Sequence, residues 1–195
     1  WVGWFGFNGG SALSASPRAV MAIIATHLAA SSGALVWGGI EWSVRRKPSV
    51  LGMISGAVAG LGTVTPASGF VAPWHGIIIG AVAGGLCYWA CTSLKHRFNY
   101  DDSLDVFGVH GVGGMTGTLL CGVFATASIG GTAGLIEGHA QQVLIQLCGI
   151  AVTLVWSAGM TYALLKLVGL FAPLRVSKEQ EMEGLDITQH GEALQ

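Results

Sequence analysis

Apolar residues along this chain fall into long blocks, and polar residues collect between them. A helix that crosses a bilayer needs about 20 apolar residues. Five blocks reach that length: Arg18–Val44, Ser49–Phe70, Trp74–Leu94, Leu104–Ala127 and His139–Phe171. Trp1–Gly10 reads as the last turns of a further helix. Pro17, Pro48, Pro73 and Pro173 stand at block edges, where a fixed φ and a missing amide suit a helix start or stop. The block His139–Phe171 is longer than a perpendicular helix requires, which predicts tilt or projection beyond the bilayer. Within the blocks, Gly52, Gly56 and Gly60 recur every fourth residue, as do Gly76, Gly80 and Gly84. That spacing lays a flat stripe along one helix face and predicts closely crossing helices. The pattern predicts an all-α polytopic membrane protein, with a membrane core over residues 1–172 and a polar tail over 173–195.

Composition agrees. Hydrophobic residues make up 52% of the chain and charged residues 10%, against about 25% charged in a soluble domain. Nine basic and ten acidic residues leave a net charge of −1, which gives no footprint for nucleic acid. Trp1 opens the chain inside an apolar stretch with no charged segment before it, so no signal peptide is expected and the chain reads as a piece of a longer protein. Cys87, Cys91, Cys121 and Cys148 lie in apolar blocks and read as small packing residues. No spacing of histidine and cysteine suggests a metal, and no cofactor is implied.

Basic residues set the expected orientation. Arg45, Arg46 and Lys47 share one loop, Lys95 and Arg97 lie two blocks on, and Arg175 and Lys178 follow the last block. Alternation puts all three groups on one side, and the opposite side holds Arg18 alone. The basic side is then cytoplasmic and the tail lies inside. That tail is acidic, and its composition points to disorder, or to a docking segment for a cytosolic partner.

Few residues carry chemistry. His110 sits in DVFGVHGVGG, Asp105–Gly114, with glycines on both sides. Asp101, Asp102 and Ser103 form a polar start for its helix and suit capping. His110 is expected about 9 Å inside that start at 1.5 Å per residue, and an ionisable residue inside a membrane span is a functional candidate. The alternative is a neutral histidine bonded to a backbone carbonyl or a serine, and the flanking glycines, which open space beside the ring, favour function. His27 reads as a packing histidine, His75 as interfacial, and His96 and His139 as loop and helix-start residues. Trp4, Phe7 and Ser11 share one helix face. They offer aromatic surface for a cation and a hydroxyl acceptor, or else an interfacial aromatic belt. Asp105 and Glu41 read as capping or interhelical residues.

GWFGFNGGS (Gly3–Ser11), GLGTVTPASGFV (Gly60–Val71), DVFGVHGVGG (Asp105–Gly114) and EGLDITQHGE (Glu183–Glu192) together resemble the ammonium transporter family, Amt/Mep/Rh, in the family's order and across nearly the whole chain. The resemblance is to the second half of a bacterial Amt-type member, from the end of its sixth helix to the eleventh. It implies an eleven-helix fold of two inverted repeats, a homotrimer in the cytoplasmic membrane, and a pore in each subunit. It implies that Phe7 is one of two stacked gate phenylalanines and that Ser11 bonds ammonium in an outer vestibule. Trp4 would line the conduit, His110 would be one of two paired pore histidines, and Thr65 would stand near the inner end of the path. The partner histidine, the vestibule tryptophan, the second phenylalanine and a buried aspartate belong to the family's first half, and none is in this sequence.

The resemblance implies recruitment of ammonium, its deprotonation, and passage of ammonia with the proton relayed. It also implies a docking site for a PII-type signalling protein at the tail, although Ala193-Leu194-Gln195 stand where the family reaches a tyrosine. Two alternatives stay open. One is an Rh-type channel for neutral ammonia or carbon dioxide, against which the tail motif argues. The other is a membrane ammonium sensor, which would carry a long C-terminal output domain. No nucleophile–base arrangement suggests an enzyme.

Overall fold

Two local devices set the helix boundaries: proline without an amide, and short polar side chains that cap. The computed structural model describes residues 1–192. Its helices are α1 (Val2–Gly10), α2 (Pro17–Arg45), α3 (Val50–Val64), α4 (His75–Phe98), α5 (Phe107–Phe124), α6 (Ala127–Gly130), α7 (Gln141–Val168) and α8 (Lys178–Glu183). No strand occurs among the described residues. Pro17 starts α2 at the first helical position, where its missing amide costs nothing. Ser49 caps α3 by accepting from the Gly52 amide at 2.8 Å.

Four helices, α2, α4, α5 and α7, are long and apolar enough to cross a membrane. The third, α3, has 15 residues and ends well before the expected Phe70. Pro66 cannot continue the amide ladder, and the chain turns at once, with the Ala67 and Ser68 amides both donating to the Val64 carbonyl. The block Leu104–Ala127 also begins later than its apolar pattern suggests. The Asp102 carboxylate accepts from the Val106 and Phe107 amides at 2.9 and 2.8 Å, and Asp105 turns the chain at φ 56°. Asp102 therefore caps, as expected, but Leu104 lies outside the helix.

Helix α2 is the hub of the first compact unit, Trp1–Ile150. Its Ala25, Ala29 and Ala30 are fully buried. The two glycine stripes press on these residues from either side. A Cβ on Gly60 or on Gly80 would strike the Ala29 carbonyl, one on Gly76 the Ala25 carbonyl, and one on Gly56 the Gly33 carbonyl at 2.6 Å. The expected close crossing is thus present, with α2 as the shared partner. At its far end, buried Glu41 accepts from the amide and hydroxyl of Ser49 at 2.7 and 2.9 Å, fixing the Arg45–Lys47 turn. Cys87, Cys91 and Cys121 are buried packing residues; Cys148 is exposed.

In the second unit, Ala151–Gln195, the apolar helix gives way to an ordered tail, not the disorder its composition suggested. Ser177 and Gln180 form a reciprocal capping box at the start of α8. Arg175 grips the Glu181 carboxylate with two hydrogen bonds, Nε to Oε1 at 2.5 Å and Nη2 to Oε2 at 3.0 Å. A wide turn follows at Asp186–His190. The Ala193-Leu194-Gln195 departure lies outside the described residues.

Two outcomes follow from this packing. Alanine is a better helix former than glycine by roughly 0.5–1 kcal/mol, so Gly85→Ala, with open space around its Cβ position, should hold or raise stability. Gly80→Ala should lower it by about 1–3 kcal/mol, as read from unfolding of the detergent-solubilised protein. In the tail, the hydrogen bonds from Arg175 hold the Glu181 carboxyl below the usual carboxylate range. The pair then supports α8 above that range, and the support is lost as pH falls through the depressed value. A carbon-13 titration of Glu181 should show a low midpoint that returns to the ordinary range in Arg175→Gln.

Candidate functional site

Helix α1 brings three of the five candidate residues to one end of the bundle. It is tied to α2 by buried Asn8, whose Nδ2 donates to Thr26 Oγ1 at 2.9 Å. Gly9 packs on Ile23 of α2, whose Cγ1 would lie 2.7 Å from an added Cβ. With that face spent on α2, the opposite face stays open, and Phe7 and Ser11 are exposed. Trp4 lies between. Its ring meets Phe7 edge-on at 6.4 Å, and its Nε1 donates to Thr65 Oγ1 at 2.8 Å. Two residues singled out separately from sequence are therefore bonded partners, 61 positions apart. Thr65, at the end of α3 away from the Arg45–Lys47 turn, stands beside Trp4 and not near the inner end of the path as expected.

The hydroxyls have a defined polarity. Ser11 Oγ donates to the Phe7 carbonyl one turn back at 2.6 Å, and Thr65 Oγ1 donates to the Leu61 carbonyl at 2.8 Å. Each proton is committed to its own helix, so each oxygen turns lone pairs outward. Thr65 spends one on Trp4; exposed Ser11 leaves its own open to a hydrogen-bond donor.

One turn back along α3 from Thr65 lies Gly62, where an added Cβ would lie 3.8 Å from His110 Nδ1. Ser11, Phe7, Trp4, Thr65, Gly62 and His110 thus follow one another across α1, α3 and α5. Gly62 was not singled out from sequence. Its place three residues before Thr65, on the same helical face, is the signal that could have found it. His110 lies about 5 Å from the Phe107 start at 1.5 Å per residue, shallower than the expected 9 Å because α5 begins later. It is exposed, whereas its neighbours Gly108 and Val109 are buried. The helix turns its small face to the bundle and its imidazole away.

No second histidine reaches His110 among the described residues. His27 lies between the Trp1 and Phe5 rings, with centroids at 5.5 and 6.0 Å, in keeping with a packing role. His75 is not an exposed interfacial residue: it is buried between Trp74 at 3.7 Å and Phe124 at 4.7 Å. No group of three or more histidine, cysteine or acidic residues placed to hold a metal occurs among the described residues.

Comparison with known proteins gives a consistent result. The model of the Ammonium Transporter Family matches residues 1–194. The ammonium transporter of Bacillus subtilis is 48% identical over 194 residues, 98% of this chain and 48% of its own length. That of Aquifex aeolicus is 49% identical over 192 residues, 98% of this chain and 45% of its own. The chain spans about half the length of the curated relatives it matches. Among solved structures, Saccharomyces cerevisiae Mep2 superposes with a TM-score of 0.85 at 40% identity, over 92% of this chain and 42% of that one. A structure titled Sensor Amt Protein gives 0.87 at 31% identity, over 97% and 46%.

The Trp4–Thr65 bond supplies a direct check on the site. Thr65→Val keeps the shape but strands the indole N–H, at a cost of about 1–3 kcal/mol. Unfolding in detergent should show that loss, and Thr65→Ser should recover most of it.

Proposed function

We propose, from the premise that this chain belongs to the ammonium transporter family, that its helices form one wall of a path that recruits ammonium and conducts it as ammonia. The family consists of transporters rather than enzymes. One observation carries the reading: the line from Ser11 to His110 is continuous, and its two ends and Phe7 are left uncovered by the bundle.

The chemistry follows from the cost of desolvation. Taking a bare cation out of water costs several kcal/mol. The faces of Phe7 and Trp4 return about 0.5–2 kcal/mol as cation–π attraction, and the Ser11 oxygen accepts one ammonium proton. These groups hold the ion at the mouth without offsetting the whole cost of carrying it further. Beyond Thr65 the line passes Gly62, which offers no polar side chain to a cation; such a wall favours the neutral amine, so the proton leaves before or during passage. His110 can take part in a relay, since imidazole exchanges protons near neutral pH. Its partner in a histidine pair would come from a segment outside this sequence.

The same reading extends to the surroundings. The end holding Arg45–Lys47 faces the cytoplasm, following the basic-residue rule. The tail, 173–195, is a docking segment for a PII-type protein, supported by the ordered Ser177–His190 turns that carry the motif. The trimer is supported by α7, in which no residue is buried.

The test is current. Full-length protein in solid-supported membranes, with ammonium as the only varied ion, should carry a current that His110→Ala abolishes or strips of its preference for ammonium over potassium. An unchanged current and selectivity would sink the role given to His110. Ammonium binding without current would point to the sensor reading instead.

A further inference from the structure

The helix that carries His110 opens on a wide turn, Phe107–Val112, and α4 contains another at Ala90–Leu94. The two turns pack together. A Cβ on Gly108 would run into the Cys91 sulfur, and Val109 and Cys91 share one buried apolar cluster. A wide turn repeats at i+5 instead of i+4; this one begins just beyond Asp105, whose carbonyl still accepts from the Val109 amide at 2.9 Å, one residue before His110.

Lys95 follows directly on the wide turn of α4 and crosses to that point. Its Nζ donates to the Asp102 carbonyl and, at 2.8 Å, to the Asp105 carboxylate. The Asp102 carboxylate caps the Val106 and Phe107 amides. Asp105 sits at φ 56°, a left-handed conformation that non-glycine residues adopt only where the surroundings compel it. The pair is partly exposed, at 26% and 37%, and such ion pairs add little stability. What it secures is direction: it fixes where α5 leaves the loop, hence which way the wide turn that carries His110 points.

We propose that Lys95 is a positioning residue for His110, a clasp that locks the first wide turn of α5 through Asp102 and Asp105 so that the imidazole faces the conduction path. The inference rests on the conduction reading above. Loosening the clasp swings the imidazole out of line without touching the Phe7–Ser11 end, so turnover suffers and recruitment does not.

The test is ammonium-driven current per folded molecule in full-length protein. Lys95→Gln should lower the maximal rate about tenfold, as displacement of a working group by an ångström can. The half-saturating ammonium concentration should move by less than about twofold, the mark of an interaction outside initial binding. Lys95→Arg, which can still reach both acceptors, should recover most of the rate. Asp105→Asn, which tolerates the left-handed backbone, should reproduce the Lys95→Gln loss and decides the matter if Lys95→Gln does not fold. An unchanged maximal rate in the folded variants overturns the clasp, as does a loss that appears in the half-saturating concentration instead. Silence of the unaltered protein overturns the conduction reading, and this inference with it; a native current beside an unaffected variant removes the clasp alone.

Discussion

Backbone contact between α2 and its two neighbours is the constraint on which the first unit depends. In lipid, helices gain little by hiding apolar surface from water, because the tails around them are equally apolar. Association must come from dispersion and close fit. Ala25, Ala29 and Gly33 of α2 meet Gly76, Gly80 and Gly84 of α4 on one side and Gly56 and Gly60 of α3 on the other. At these crossings a single methyl group is too much. The polar bonds that build the site, Asn8 to Thr26 and Trp4 to Thr65, then hang α1 on a frame already set by small residues.

That frame leaves Phe7, Ser11 and His110 on its uncovered side. Gly108 and Val109 face inward and His110 outward within a single turn. Phe7 and Ser11 stand free because Asn8 and Gly9 take the opposite face of α1 against α2. The curated relatives are about twice this length, and under the proposed function their other half closes such a face.

Much of this was legible in the sequence because it is written in spacing. The glycine stripes, the shared face of Trp4, Phe7 and Ser11, and the apolar blocks are periodic, and periodicity survives folding. The misplacements have local causes. The Ser49–Phe70 block was too long because Pro66 ends the ladder inside an apolar run. The start at Leu104 was too early because the Asp102 cap acts four residues downstream. His75 looked interfacial because nothing near it in sequence reveals that Phe124 will stack on it. Gly62 shares a helical face with Thr65, a mark that the spacing carries, but its approach to His110 across space leaves none along the chain. The tail's order rests on a capping box and one Arg–Glu pair, both of which composition averages away.

The paired wide turns also limit how such a chain can change in length. A wide turn holds one residue more than the α-helical turn it replaces. Removing that residue from Phe107–Val112 returns the turn to α-helical spacing and leaves the flanking segments in phase, whereas removing one from a regular stretch rotates them by about 100° at 3.6 residues per turn. The facing turn of α4 is swollen in the same way, with Cys91 lodged against Gly108. The two wide turns are therefore the places where these helices can lose a single residue and keep their faces aligned.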